Sequence, residues 1–267
     1  MAEVTLGASR PVPFRGGGFA PVARPVVSWL AFAVVIAVWQ ALSQARLIDP
    51  LFLPSPLQIL VALRDLAVSG ELARHFAASL TRIGIGWVIG ATAGIVVGGL
   101  IGLFSTWRSA GLPFISALFP IPKIALLPLL ILWLGIGETS KVATIALGVF
   151  FPMAISAYAG VDSVPRNLVR MAQSFDVPFL RIVGNVILPG MLPSVLAGCR
   201  ISASIALILV VAAEMIGANE GIGALVLTAG NLMQTDRLMA GIVAISILGL
   251  VIGAGISWLE RALLGWR

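Results

Sequence analysis

Six stretches of this chain are apolar over the roughly 20 residues that a helix needs to cross the hydrocarbon core of a bilayer. They lie near Val27 to Leu42, Leu80 to Leu103, Leu112 to Leu134, Val142 to Tyr158, Leu192 to Ile216 and Leu238 to Trp258. Hydrocarbon offers no partner for an unpaired backbone N–H or C=O, so runs of this kind fold as spanning helices. With 10% charged residues and a mean hydropathy of +1.07, the expectation is an all-α polytopic membrane protein. Residues 1–25 have no apolar core of the kind a cleaved signal carries, so they read as a disordered cytoplasmic tail before a transmembrane domain over 26–267.

The charges exclude several functions. A sequence pI near 11.0 is in the range of nucleic-acid binders, but the cations stand singly between apolar runs and form no basic stripe. The one cysteine, Cys199, and the one histidine, His75, supply neither a disulfide nor a zinc site. Neither lysine, Lys123 or Lys141, follows a glycine, so no phosphate loop is present and ATP is not bound by that route. No Gly-x-Ser-x-Gly elbow appears either, which leaves an intramembrane hydrolase without a nucleophile.

Cations flanking the spans set the orientation. With the N-terminus inside, the inner segments hold nine cations against four carboxylates, Arg166, Arg170 and Arg181 among them, a net +5. The outer segments hold six of each sign and are neutral. Both termini are therefore expected in the cytoplasm, and so is the stretch from Pro165 to Gly190. In that stretch Leu168, Met171, Ala172 and Phe175 recur at helical spacing, with Arg166, Asn167, Arg170, Gln173 and Ser174 on the other face. Pro178 disfavours helix at Val177 and suits the start of a new one, so two short helices joined by a tight bend are predicted.

In the second run a glycine recurs at every fourth position, Gly86, Gly90, Gly94, Gly98 and Gly102. Such a stripe lets another helix approach closely, either within the chain or across a subunit interface. Lys123, Arg200 and Glu214 are ionisable residues inside the runs. A charge at that depth faces a bundle interior or a watery path. Lys123, amid Pro120, Pro122 and Pro128, suits an anion contact in a translocation path or snorkelling to the inner interface; Arg200 has the same two readings. Glu214 suits a gate or a partner for a cation on a neighbouring helix. The segment after it, with Gly217, Gly221, Gly223 and Gly230, is too interrupted to span and reads as a re-entrant or outer-surface helix.

The stretch from Pro165 to Gly190 resembles the coupling-helix signature of importer-type ABC permeases: Glu-Ala-Ala, three residues, Gly, nine residues, Ile-x-Leu-Pro. The corresponding residues are Arg170, Met171, Ala172, then Asp176, then Val186, Leu188 and Pro189, without a gap. Ala172 and Leu188-Pro189 match; the Glu, the second Ala and the Gly are replaced. The flanking blocks "FLPSPLQI", "PKIALLPLLILWLGIGETSK", "LGVFFPMAISAYAGV" and "NEGIGALV" look like those of sulfonate, taurine and nitrate permeases, from about Leu51 to the C-terminus.

The resemblance implies a type I importer fold of about six transmembrane helices with a cytoplasmic coupling-helix pair over about 165–188. It implies a non-enzymatic subunit of the inner membrane, working as a homodimer with two ATP-binding subunits and an external substrate-binding protein. ATP and magnesium would be held by those subunits, so this chain carries no cofactor. Coupling would fall to Arg170, Met171, Ala172, Gln173, Ser174, Phe175 and Asp176, backed by Leu188 and Pro189. A stand-alone ion-coupled transporter or channel is the alternative, against which stands the lack of an internal repeat.

Overall fold

The computed structural model describes residues 25–45, 47 and 49–265. The expected N-terminal tail, to residue 24, lies outside the described residues, as do Arg46 and Arg267 from the charge comparison. The chain divides into two compact units, 1–57 and 58–267.

The first unit holds α1 (Pro25–Gln44), apolar on every side. Its large side chains, Trp29 and Phe32 among them, are mostly exposed, as on a helix that meets lipid. Beyond it the Asp49 carboxylate accepts the Leu51 N–H at 2.9 Å, and the Gln40 side chain accepts the Leu57 N–H at 3.2 Å.

The second unit takes in most of α2 (Pro56–Val68), which starts on a proline and buries Ile59, Ala62 and Leu66 along one stripe. Gly70, at φ 75°, turns the chain into α3 (Glu71–Leu103). This helix starts at Glu71, well before the apolar run at Leu80, because helix formation tolerates the polar residues that the hydropathy pattern excludes. After Phe104 come α4 (Ser105–Leu118), a 3-10 turn (Lys123–Leu126) and α5 (Leu127–Leu134). The run from Leu112 to Leu134 is therefore not one continuous span. Its two halves are bent by 87°, because Pro120 and Pro122 lack the donors that would carry α4 onward.

Next is α6 (Glu138–Asp162), then α7 (Arg166–Ser174) and α8 (Phe179–Ile182). A π turn (Val183–Ile187) leads directly into α9 (Leu188–Met215). The span expected from Leu192 thus begins at Leu188 and is continuous, through the π turn, with the second short helix. The segment expected not to span forms α10 (Ile222–Asn231), and α11 (Thr235–Leu263) ends the described chain. Among the described residues, five helices are long and apolar enough to cross a membrane, six if the bent pair counts as one.

Helices α6 and α9 are the centre of this unit. Ile145, Val149, Met153 and Ala157 on α6, and Ala206 and Val210 on α9, are completely buried. The glycine stripe of α3 lies along α6 of the same chain. A β-carbon at Gly86 would sit 2.8 Å from Ile145, one at Gly94 2.7 Å from the Met153 Cβ, and one at Gly102 2.6 Å from Val161. At Gly90 and Gly98 it would strike the carbonyl oxygens of Ala146 and Ala154. Backbone meets backbone along this seam, which is how helices associate where lipid gives no hydrophobic drive.

Candidate functional site

The predicted bend between the short helices is present, and its hydrogen bonds explain it. The N–H of Val177 donates to the Ala172 carbonyl at 3.1 Å and that of Asp176 to the Gln173 carbonyl at 3.0 Å. This is the Schellman pairing that closes a helix with a residue in the left-handed region, most often glycine. Here that residue is Asp176, at φ 52°, and aspartate is one of the few side chains that tolerate it. Asp176 thus holds the conformation for which glycine is favoured at this position. Pro178 then opens α8.

Helix α7 has sharply separated polar and apolar faces, yet none of its residues is buried. Met171 is 55% and Phe175 77% exposed, so two large apolar side chains stand out beside Arg170, Gln173 and Asp176. The root of the elbow is anchored instead. Ile182, Ile187 and Val164 are buried, Phe179 packs on Phe104 with ring centroids 5.9 Å apart, and Gly190 makes room for Val164. A fixed root and an unpartnered tip suit a lever that another protein grips.

At the opposite ends of α3, α6 and α9 lies a buried ion cluster that the apolar pattern does not reveal. Arg82 is 5% exposed and Glu214 1%. The Arg82 Nη1 donates to Glu214 at 2.7 Å and to the Glu220 carbonyl at 2.6 Å, while Nε and Nη2 form a two-point pair with Glu138. Ser79 donates to both Glu214 oxygens at 2.8 and 2.9 Å. The start of α10 completes the cluster: the Gly223 N–H donates to Glu214 and the Ile222 N–H to Ser79, both at 2.9 Å, and the Gly221 N–H to His75 Nδ1 at 3.0 Å. Lys141 adds a second cation 3.4 Å from Glu138. Two cations face two carboxylates, so the cluster is neutral overall, with Arg82, Lys141 and Glu214 buried and Glu138 at its exposed edge.

Glycine is needed at 221 because the Glu214 carboxylate occupies the space of a β-carbon, and at 223 because a β-carbon would strike the Val211 carbonyl oxygen and crowd the Glu214 Cβ. Glu214 pairs with Arg82 on a neighbouring helix, one of the two arrangements expected for it. Ser79 and Arg82, one turn apart at the head of an apolar run, were the available signal. Their shared partner Glu214 lies more than 130 residues away along the chain, which no local pattern conveys.

The other charged candidates are engaged differently. Lys123 Nζ donates to the carbonyls of Leu118, Phe119 and Ile121 at 2.8, 3.0 and 2.7 Å, and lies 4.2 Å from the Phe151 ring centroid. All three ammonium hydrogens thus close the carbonyls that α4 leaves free at its broken end. Lys123→Ala is expected to lower thermal stability in detergent by about 2 kcal/mol, the order of a charge-assisted hydrogen bond. Unchanged unfolding would show that the capping contributes nothing. Arg200 donates to Glu260 at 2.6 Å and Ser257 at 3.2 Å, joining α9 to α11.

The comparisons with known proteins agree with this architecture. The taurine transport system permease protein TauC of Escherichia coli (strain K12) is 41% identical over 253 residues, 92% of each chain. The formylaminopyrimidine transport permease protein ThiX of Halalkalibacterium halodurans is 34% identical over 243 residues, 89% of this chain and 94% of the relative. Among solved structures, an inward-facing MetNI methionine ABC transporter chain superposes with a TM-score of 0.58 at 20% identity, covering 74% of this chain and 96% of that one; this likeness concerns the fold. Residues 90–265 match the family described as the binding-protein-dependent transport system inner membrane component. This multi-pass protein belongs to that family of ABC importer permeases.

Proposed function

We propose that this chain translocates a small anionic solute, of the sulfonate or taurine class, as the non-catalytic membrane subunit of an importer driven by a separate ATPase. It works as a homodimer with two ATP-binding subunits on the cytoplasmic side and a substrate-binding protein outside, and it holds no ATP or magnesium itself. The observation that carries this reading is the elbow: a two-faced helix with no buried residue, set on a packed root and closed by a fixed bend. The excess of inner cations supports a cytoplasmic position for it and for both termini. The taurine permease relative supports the solute class.

In this reading α7 presents Arg170, Met171, Gln173, Phe175 and Asp176 to a groove of the ATPase, and closure of that subunit on ATP tilts the spans through α8 and α9. Lys123, whose ammonium hydrogens are held by backbone carbonyls, contributes positive charge near the break between α4 and α5 that attracts the anion without contacting it. Arg170→Glu and Asp176→Arg are each expected to cut transport and solute-stimulated ATP hydrolysis by about 30-fold, the effect of losing roughly 2 kcal/mol of docking energy. Membrane insertion should be unaffected, since neither residue is buried. Wild-type coupling in both variants, in reconstituted vesicles, would overturn the docking face; uptake with no ATPase present would overturn the importer assignment.

A further inference from the structure

Between the elbow and the ends of the spans lies a cavity of about 470 Å³, within the roughly 300–1,000 Å³ of small-molecule sites. One wall is α7 along Arg166, Val169, Arg170 and Gln173, with Arg170 and Gln173 at the edge shared with the proposed docking face; the others come from the ends of α3 and α6, the start of α4, α8 and the π turn. Its lining is split. Phe104, Val164, Phe179 and Ile182 form an apolar part, and Arg108, Arg166 and Arg170 a basic one.

The three arginines are not equivalent. Arg108 is committed to Asp162 at 2.6 Å and to the Tyr158 ring at 5.0 Å. Arg166 and Arg170 have no carboxylate partner among the described residues, although they stand one turn apart on α7, where like charges repel. A cavity that sets two unpaired guanidinium groups against an apolar wall, at the end of a set of spanning helices, matches an amphiphilic anion. Guanidinium groups bind phosphate with paired hydrogen bonds, and basic pockets between spans on the cytoplasmic side accept acidic lipid headgroups.

We propose that this cavity is a binding site for a phosphate-bearing anion, with Arg166 and Arg170 on the phosphate and the Phe104–Phe179 wall beside an apolar part. Its cytoplasmic position rests on the proposed orientation. An occupant would join the tip of the elbow to its root, so its presence would stiffen the lever.

The test uses the complete importer, purified with its ATPase and placed in nanodiscs of phosphatidylcholine with or without phosphatidylglycerol. Two variants carry it, and Arg170 is left unchanged because it belongs to the docking face. Arg166→Gln removes one charge, and Val169→Glu places a carboxylate among the arginines; Arg166→Lys keeps the charge. Retention of phosphatidylglycerol by the released complex, read by native mass spectrometry, should fall about tenfold in the first two and stay near wild type in the third, as expected for loss of one charge-assisted contact. If millimolar inorganic phosphate instead stabilises the complex against heat in an Arg166-dependent way while phosphatidylglycerol does not, the source is a soluble phosphate. No Arg166-dependent effect of either probe would overturn the site. The same preparations show whether the ATPase co-purifies, and its absence from the wild type would count against the importer assignment while leaving the lipid measurement readable.

Discussion

Arg82→Met is expected to destabilise the protein by about 3–5 kcal/mol, because it strands Glu214 as an uncompensated charge in the interior. Glu214 is 1% exposed, and Ser79 and the Gly223 N–H cannot replace the cation. The loss should appear in thermal unfolding of the purified protein in detergent. The double variant Arg82→Met with Glu214→Gln should be more stable than Arg82→Met alone, since a neutral amide can still accept from Ser79 and Gly223 without a buried charge. Equal stability of the single and double variants would show that Glu214 costs nothing as a lone charge, against the stranding argument. Loss of the cluster should also free the start of α10, whose first N–H groups are held by His75, Ser79 and Glu214.

A second large effect is expected on the glycine seam. Gly98→Val should prevent α3 and α6 from closing and cost at least about 3 kcal/mol, because the obstruction is the Ala154 carbonyl, not a side chain that can turn away. The neighbouring position is the control. Gly99 has nothing within 4 Å of where a β-carbon would sit, so Gly99→Ala should be neutral or stabilising by up to about 1 kcal/mol through helix propensity. Purified yield and unfolding temperature of the two variants check this. Similar behaviour of both would mean that the seam tolerates bulk.

The contrast between these two regions shows what was legible in the sequence. The glycine stripe has a four-residue period, so its existence and close-packing use could be read directly; only the identity of the partner, α6, needed the structure. The elbow was legible for the same reason, as a helical period interrupted before Pro178. Its left-handed Asp176 was not, because the pattern favours glycine there and aspartate reports the same backbone more weakly. The broken third segment was half legible. Prolines 120 and 122 marked the weak point, but neither the 87° bend nor the Lys123 contacts to the carbonyls beside it could be read from a local pattern. Arg82, Glu138 and Lys141 were invisible as a group, since Arg82 reads as the polar edge of an apolar run and Glu138 and Lys141 as the first turn of a helix, where a charge ordinarily faces water; only the tertiary fold brings them together.

The π turn at Val183–Ile187 has a consequence for the aim of the lever. A wider turn absorbs one more residue than an α-turn, and each residue advances a helix by about 100° around its axis. The azimuth at which α8, and with it α7, leaves α9 is therefore set by a residue count at the joint, independently of the chemistry at the tip. Two permeases with identical docking side chains but different tallies here would point them in different directions, so compatibility with a given motor is written in the joint as much as in the surface it offers.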